Sequence, residues 1–463
     1  MSTFSGINSS LSALHAARKA LDISGQNIAN ANTDGYTRQR VGMSSVDGSL
    51  VPAMHSVSDG IGGGVTIDTI TRVQDAFLQA RGQIEHARSA DLDAQAQVLS
   101  RVEKLFGEPS DTGLQSQLSD FWSAWHDVVN QPGTLASRAQ LLQRGGTVAD
   151  ALHTMSEGLS SLWGTTRDQA ESLVSEVNSA AAGIAEMNEA IVRANAAGLP
   201  ANELSDKRDQ LALRLSELTG STATVTANGS MEVTLGGASL VSGGTARSLA
   251  LGGAGTMADL TADPAAKITI TWAGGTPPAE AAIGSGALAA SLRTLNDTLP
   301  GYSGKLDAVA ASIAEAVNTA HGSGYDLKGA PGKPFFTGGT AGTITVAITD
   351  PAEVAASAVP GGGLDAGNAD AIAAIGGSAD GPDALYRSVV TDLGVASQDA
   401  KRRMTVQDAI TKTNDAQRAG ISGVSLDEEV TNMLLYQRAY QAAGQAISTI
   451  NSTFDSLLGM MRG

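Results

Sequence analysis

Apolar residues recur at alternating steps of three and four at both ends of the chain. Near the N-terminus Phe4, Ile7, Leu11, Leu14, Leu21 and Ile28 fall on one helical face, interrupted by Arg18 and Gly25. Near the C-terminus Met433, Tyr436, Tyr440, Ala443, Ile447, Ile450, Phe454, Leu457 and Met461 keep the same alternation with no polar interruption. A 3.5-residue period held this long predicts helices that each need a partner helix. The first should stop near Ala31, where asparagines give way to Asp34-Gly35, a turn signal, and Tyr36 to Val41 then alternates as a strand. Ser425 opens the last helix with Ser425-Leu426-Asp427-Glu428, a capping box, and that helix spans about 54 Å if it continues to Met461.

Between these ends the pattern changes three times. Glycine and proline punctuate Gly42 to Gly64, before a strand-like Val65 to Ile67. Val73 to Leu218 reads as three or four helices, broken at Gly107-Glu108-Pro109, Gln131-Pro132-Gly133 and Gly198-Leu199-Pro200. The longest, Leu135 to Ala197, could approach 90 Å at about 1.5 Å per residue, with Gly145, Gly146 and Gly164 as candidate break points. At Thr219 the composition turns to Thr, Val, Gly and Ala, with alternating runs at Thr222 to Thr226, Met231 to Leu235 and Lys267 to Trp272. A helix from Ala287 to Ala320 interrupts this region, strand-like segments resume at Phe335 to Phe336 and Thr343 to Thr349, and Leu385 to about Ala419 is helical again.

The expected fold is therefore mainly α with an inserted β domain. It is elongated, with paired N- and C-terminal helices, a long-helix bundle and a small β-rich outer module. The corresponding division is 1–40 plus 424–463 for the terminal helices, 41–218 plus 384–423 for an extended linker and helical bundle, and 219–383 for the β-rich insertion.

Composition supports long helices joined by glycine-rich connections: 54 glycines, 4% aromatic residues and 17% charged residues in 463. A formal net charge of −17, without clustered Lys and Arg, argues against nucleic acid as a partner. The absence of cysteine removes disulfides, thiolate metal sites and cysteine catalysis together. No secretory signal pattern and no membrane-length apolar run is visible.

Catalytic patterns are missing as well. The six histidines stand singly, without metal-ligand spacing, and the reading is no metal and no cofactor. Gly332-Lys333 has Pro334 where a phosphate loop needs Ser or Thr, and neither G-x-S-x-G nor G-x-G-x-x-G occurs. An enzyme is still conceivable through two carboxylates brought together in space, as in a wall-degrading glycosidase. A secreted helical adhesin is a third reading.

An internal core is the plain explanation of the terminal stripes. Two features favour an assembly device instead. Gln26, Asn27, Asn30, Asn32 and Thr33 crowd groups that both donate and accept hydrogen bonds at a helix end, which suits specific contacts to a neighbouring chain. Residues 1–40 carry Arg18, Lys19, Arg38 and Arg40 against two carboxylates, whereas residues 424–463 carry Arg438 and Arg462 against four, so the ends attract each other.

Leu21-Asp22-Ile23-Ser24-Gly25-Gln26-Asn27-Ile28-Ala29-Asn30-Ala31-Asn32-Thr33-Asp34-Gly35-Tyr36-Thr37-Arg38-Gln39 resembles the N-terminal signature of bacterial flagellar rod, hook and hook-associated axial proteins. Glu428 to Ala443, continuing through Ile447, Ile450 and Phe454, is similar to the C-terminal signature of the same family. The form of the first signature is most similar to hook-associated members at the hook–filament junction, with a rod or hook paralogue as the alternative. Asp34 stands where the family often has proline, and aspartate suits a turn equally.

The resemblance implies a structural component without catalysis, exported unprocessed through the flagellar type III apparatus to the extracellular flagellum. It implies self-association in a ring or helical array, contact with hook protein and a second hook-associated protein, and an export chaperone on the C-terminal helix. It further implies that the termini remain disordered in the free protein, since a lone helix pair has little to bury against. The assembly residues it points to are Leu11, Leu14, Arg18, Leu21, Asn27, Ile28, Asn30, Asn32, Thr33, Gly35, Tyr36, Thr37 and Arg38 at one end. At the other end they are Met433, Tyr436, Arg438, Tyr440, Ile447, Ile450, Phe454 and Leu457.

Overall fold

The computed structural model describes residues 3–46, 63–275, 278–361 and 363–462; the Phe4 and Met461 side chains and the loop expected within 47–62 lie outside the described residues. The chain opens with α1 (Thr3–Ala29) and an antiparallel pair, β1 (Gln39–Val46) and β2 (Gly64–Arg72). Strand β1 starts later than the alternation suggested, because Tyr36 and Thr37 belong to the turn before it.

Helices α2 (Ala76–Phe106), α3 (Leu114–Asn130), α4 (Leu135–Ala196) and α5 (Asn202–Thr219) follow. Their ends obey local chemistry. Asp75 accepts from the amides of Phe77 and Leu78 at the start of α2, and Gly107, at φ 61°, closes it in the left-handed conformation.

Helix α4 runs unbroken for 62 residues. Its glycines do not divide it: Gly146 and Gly164 face open space, while Gly145 and Gly158 serve packing. At Gly145 a Cβ would meet Phe335, Val346 and Phe121 at 3.0–3.4 Å, and at Gly158 it would press on Leu105.

Strands β3 (Thr222–Val225), β4 (Met231–Leu235), β5 (Ala238–Ser242) and β6 (Thr245–Ala246) form an antiparallel meander in chain order. Strand β4 buries Met231, Val233 and Leu235 on one face, as its alternation requires. Strand β7 (Leu249–Gly252) pairs with β8 (Thr269–Trp272) across the short α6 (Met257–Ala262). A continuous helical run then comprises α7 (Gly286–Arg293), a π-helical segment (Thr294–Thr298) and α8 (Leu299–Gly322). After β9 (Phe336–Thr337), β10 (Thr345–Val346) and α9 (Gly367–Ala373), the chain ends in α10 (Pro382–Ser422) and α11 (Leu426–Arg462).

One contiguous apolar core joins α2, α3, α4, α5, α8 and α10 to the inward residues of β4, β5, β7 and β8. Its densest part is aromatic. Phe121 and Trp125 of α3 meet Phe335 at 5.8 and 5.6 Å between ring centroids, and Phe335 meets Phe336 at 4.9 Å.

Three buried polar side chains here find distant acceptors or donors, mostly on the backbone. Arg138 donates to the carbonyls of Pro132 and Val354, and Arg208 to Gly229 O at 2.6 Å and Asn188 Oδ1 at 3.1 Å. His321 is fully buried: Nδ1 donates to Lys333 O at 2.6 Å and Nε2 accepts from Ala355 N–H at 2.8 Å. Burial pulls this imidazole down to about 4, so it is neutral.

Candidate functional site

Helices α1 and α11 pack against each other as an antiparallel pair. Asn27 bonds Glu429 at one end, and Gly6 abuts Ile450 at the other. The interval from Gly6 to Asn27 equals that from Glu429 to Ile450, so the register holds without slip. Steps of four and three from Gly6 place Ser10, Ala13, Ala17, Ala20, Ser24 and Asn27 on the face turned to α11. All are small, which lets the two backbones approach closely.

The apolar stripe of α1 is one residue out of phase with this seam. Leu14, Leu21 and Ile28 are half-buried, Leu11 is 43% exposed, and Arg18 and Gly25 are exposed. The other flank of α1 takes the strand pair: Val65 N–H donates to Ser12 Oγ at 3.2 Å, and Gly64 lies against Ser9 and Ser12. On α11 the stripe and the seam coincide. Met433, Tyr436, Ile447, Ile450 and Phe454 are half-buried and Ala443 is buried, whereas Arg438, Tyr440 and Leu457 are exposed.

The polar string forms a hub inside the chain. Asn27, 1% exposed, uses its whole carboxamide: Nδ2 donates to Gln39 O at 2.9 Å and Glu429 Oε2 at 3.2 Å, while Oδ1 accepts from Tyr36 Oη at 2.8 Å and Gln39 N at 3.0 Å. Arg38 reaches from the turn to the start of α11, donating through Nε to Glu429 at 2.7 Å and through Nη1 to Glu428 at 2.6 Å. The opposite charges of the two ends thus meet at a specific pair. The capping box at Ser425 forms only in part: Glu428 N donates to Ser425 Oγ at 3.5 Å, but the Glu428 carboxylate is turned to Arg38.

The same turn is tied to the body. Thr37 N donates to Asp206 at 3.2 Å, and Arg72 bridges Asp206 and Asp209 at 2.8 and 2.7 Å. Gln26 bonds Glu203, and Gln210 donates to Asp34 O at 2.7 Å. Gly35, at φ 75°, leaves room for the Gln210 side chain where a Cβ would collide with it. Burial, joined by the Asp206, Glu203 and Glu429 carboxylates, pushes the Tyr36 hydroxyl up to about 12, so it stays a donor. Asn30 and Thr33 bond each other, and Asn32 is exposed.

Asn27, Tyr36 and Arg38, expected from sequence to contact a neighbouring chain, bond here within the chain, to Glu429 as a buried acceptor and to Gln39, and Arg72 and Asp206 join the hub without any sequence signal. The small-residue seam was legible in principle, since Gly6 to Asn27 repeats at 3.5 residues without one large side chain.

Among the described residues no group of three His, Cys, Asp or Glu could hold a metal ion, and no helix is long and apolar enough to cross a membrane.

Three sequence profiles match. The flagellar hook-associated protein FlgK helical domain covers residues 99–336, the flagellar basal body rod FlgEFG protein C-terminal profile covers 416–460, and the flagella basal body rod protein profile covers 7–37. The chain is 28% identical to flagellar hook-associated protein 1 of Bacillus subtilis, over 99% of each chain. It is 26% identical to the protein of that name in Escherichia coli, over 98% of this chain and 99% of that one. In fold it is similar to the flagellar hook junction protein FlgK from Burkholderia pseudomallei, with a TM-score of 0.65 at 16% identity, covering 75% of this chain and 100% of that one. A helical-domain profile spanning more than half of the sequence is a family assignment: the chain belongs to the flagellar hook-associated protein FlgK family, structural components of the bacterial flagellum and not enzymes.

Proposed function

We propose that this protein forms the junction between hook and filament by self-association through α1 and α11. The supporting observation is the phase difference on α1: the helix meets α11 with small residues, and, apart from the buried Ile23, the large apolar residues of its stripe are left half-buried or exposed beside the seam. Leu434 and Leu435 of α11, 49% and 62% exposed, extend this uncovered surface. Neighbouring copies that bury both would gain roughly 25 cal/mol per Å² of apolar area. Each pair would thereby become one stave of an inner tube.

On this reading the partners are hook protein on one side and a second hook-associated protein on the other. Export is through the flagellar type III route, with a chaperone covering the apolar outer face of α11 before assembly. The residues that carry assembly are the stripe Leu11, Leu14, Leu21 and Ile28, with the exposed face of α11.

Leu11→Asp combined with Leu435→Asp tests it, since both positions are exposed enough to leave the fold intact. The expected result is a protein of normal circular dichroism and at least a tenfold loss of filaments attached to hooks, counted by electron microscopy in cells lacking the native copy. Normal filament numbers would refute the proposal.

A further inference from the structure

Helices α2 and α10 pack antiparallel through a polar seam: Gln407 donates to Glu85 at 2.8 Å, Thr411 to Glu85 O at 3.3 Å, and Asn414 to Leu78 O at 3.5 Å. One side of this pair is closed by α5, where His86 sits between Glu217 and Asp415. The other side is open. On α2 it carries Phe77, 72% exposed, and Ile84, and on α10 it carries Val406, 57% exposed, and Ile410. The spacings 77–84 and 406–410 put each set on one helical face, and the antiparallel register sets Ile84 beside Ile410, with Val406 about one turn to one side and Phe77 about two turns to the other.

Arginines ring this apolar centre. Arg81 and Arg88 flank Ile84 on α2, sharing Glu85, and Arg402 and Arg403 precede Val406 on α10, sharing Asp399. Four guanidinium groups against two carboxylates make the patch locally basic in a chain of net charge −17. An apolar centre with an arginine rim is the composition of an interface.

Its complement is present on the same chain. At the start of α11 Leu426, Val430 and Leu434 stand exposed at steps of four, beside Asp427, which has no ion-pair partner among the described residues. Helix α10 runs about 24 Å from Val406 to Ser422 before the break that leads into α11, and Val406 and Leu426 are both exposed in the single copy, so they do not cover each other. We propose that the α2–α10 face docks the start of α11 of a second copy of this chain. Such a contact is heterologous: each copy offers the patch to one neighbour and the complement to another, and the array propagates or closes into a ring. This rests on the self-association proposed above and adds a second, charge-directed contact outside the apolar stripe.

A photo-crosslinking amino acid at Val406, introduced as Val406→p-benzoylphenylalanine in the full chain and irradiated in assembled flagella, reads the occupant directly. The expected product is a dimer of this chain, crosslinked within residues 426–434. A crosslink to another flagellar protein, a crosslink elsewhere in the second copy, or monomer alone would each overturn the inference. Charge exchange supplies an independent arm. Arg402→Glu with Arg403→Glu should reduce attached filaments about tenfold, and Asp427→Arg added to them should restore at least half; unchanged attachment, or no restoration, counts against it. If the Leu11→Asp, Leu435→Asp protein fails to assemble while the arginine variant assembles normally, only this inference falls. If the Leu11→Asp, Leu435→Asp protein assembles, the terminal-helix proposal falls with it.

Discussion

The helical body and the terminal pair are both antiparallel helix packings, built on opposite principles. In the body, large side chains are enclosed on every side: Phe121, Trp125, Trp163 and Phe335 are fully buried, and even Arg138 and Arg208 are covered and supplied with carbonyls. In the terminal pair, the helix-to-helix seam of α1 consists of glycine, alanine and serine around one asparagine, and the large apolar residues lie outside it. The aromatic core of the body is complete as one chain, and its exposed apolar residues are confined to patches such as the α2–α10 face. The ends are positioned by polar contacts and leave part of their hydrophobic surface, including Leu11, Leu434 and Leu435, exposed.

The largest effect that would sharpen this contrast is expected at Trp125. Trp125→Ala should cost the body about 3–5 kcal/mol in urea denaturation, as truncations of fully buried aromatics do. A loss below about 1 kcal/mol would mean that the aromatic cluster is not what holds the body together.

Arg38 should matter less overall and more locally. Arg38→Ala leaves Glu429, 2% exposed, without its charge partner, a change worth about 3 kcal/mol. Hydrogen exchange should quicken in α1 and α11 while the amides of α3 and α4 keep their protection. Equal quickening in both regions would erase the distinction drawn here.

The smallest effect is in pH, and its sign should separate the regions. Tyr36 has its folded value raised to about 12, so the unfolded chain ionises first, and the stability it lends the hub is lost as pH rises from 10 through 12. His321 has its folded value lowered to about 4, so the unfolded chain takes up protons first, and the body loses stability as pH falls from 6.5 towards 4. Tyr36→Phe should flatten the alkaline limb alone and His321→Gln the acid limb alone, read from melting temperature against pH.

The α11 stripe was legible from sequence because large apolar residues carry the 3.5-residue period and face the partner. On α1 the same period is written twice, once in Leu and Ile and once in Ala and Ser, and hydrophobicity weighs only the first. Alanine also favours helix wherever it stands, which hides its packing role. Gly145 illustrates the converse: glycine reads as a breaker, whereas here it admits the ring of Phe335. Nothing local in sequence marks the π-helical turn at Thr294–Thr298, or the acceptors that Arg138 and His321 find, because those partners come from distant parts of the chain. Strands β3, β4 and β8 announced themselves by alternation, whereas β5, β6 and β7 and the docking of the sheet on α4 through Asn188 and Met231 did not.

Residues 402 positions apart, Asn27 and Glu429, close the terminal pair. The first helix made therefore waits for the last, since its seam has no partner until nearly the whole chain exists, and a contact of such long sequence separation is among the slowest to form. A chain cut short anywhere before α11 has an α1 whose seam stays open. On the assembly proposed above, only a chain that carries α11 would present a closed terminal pair to its neighbours.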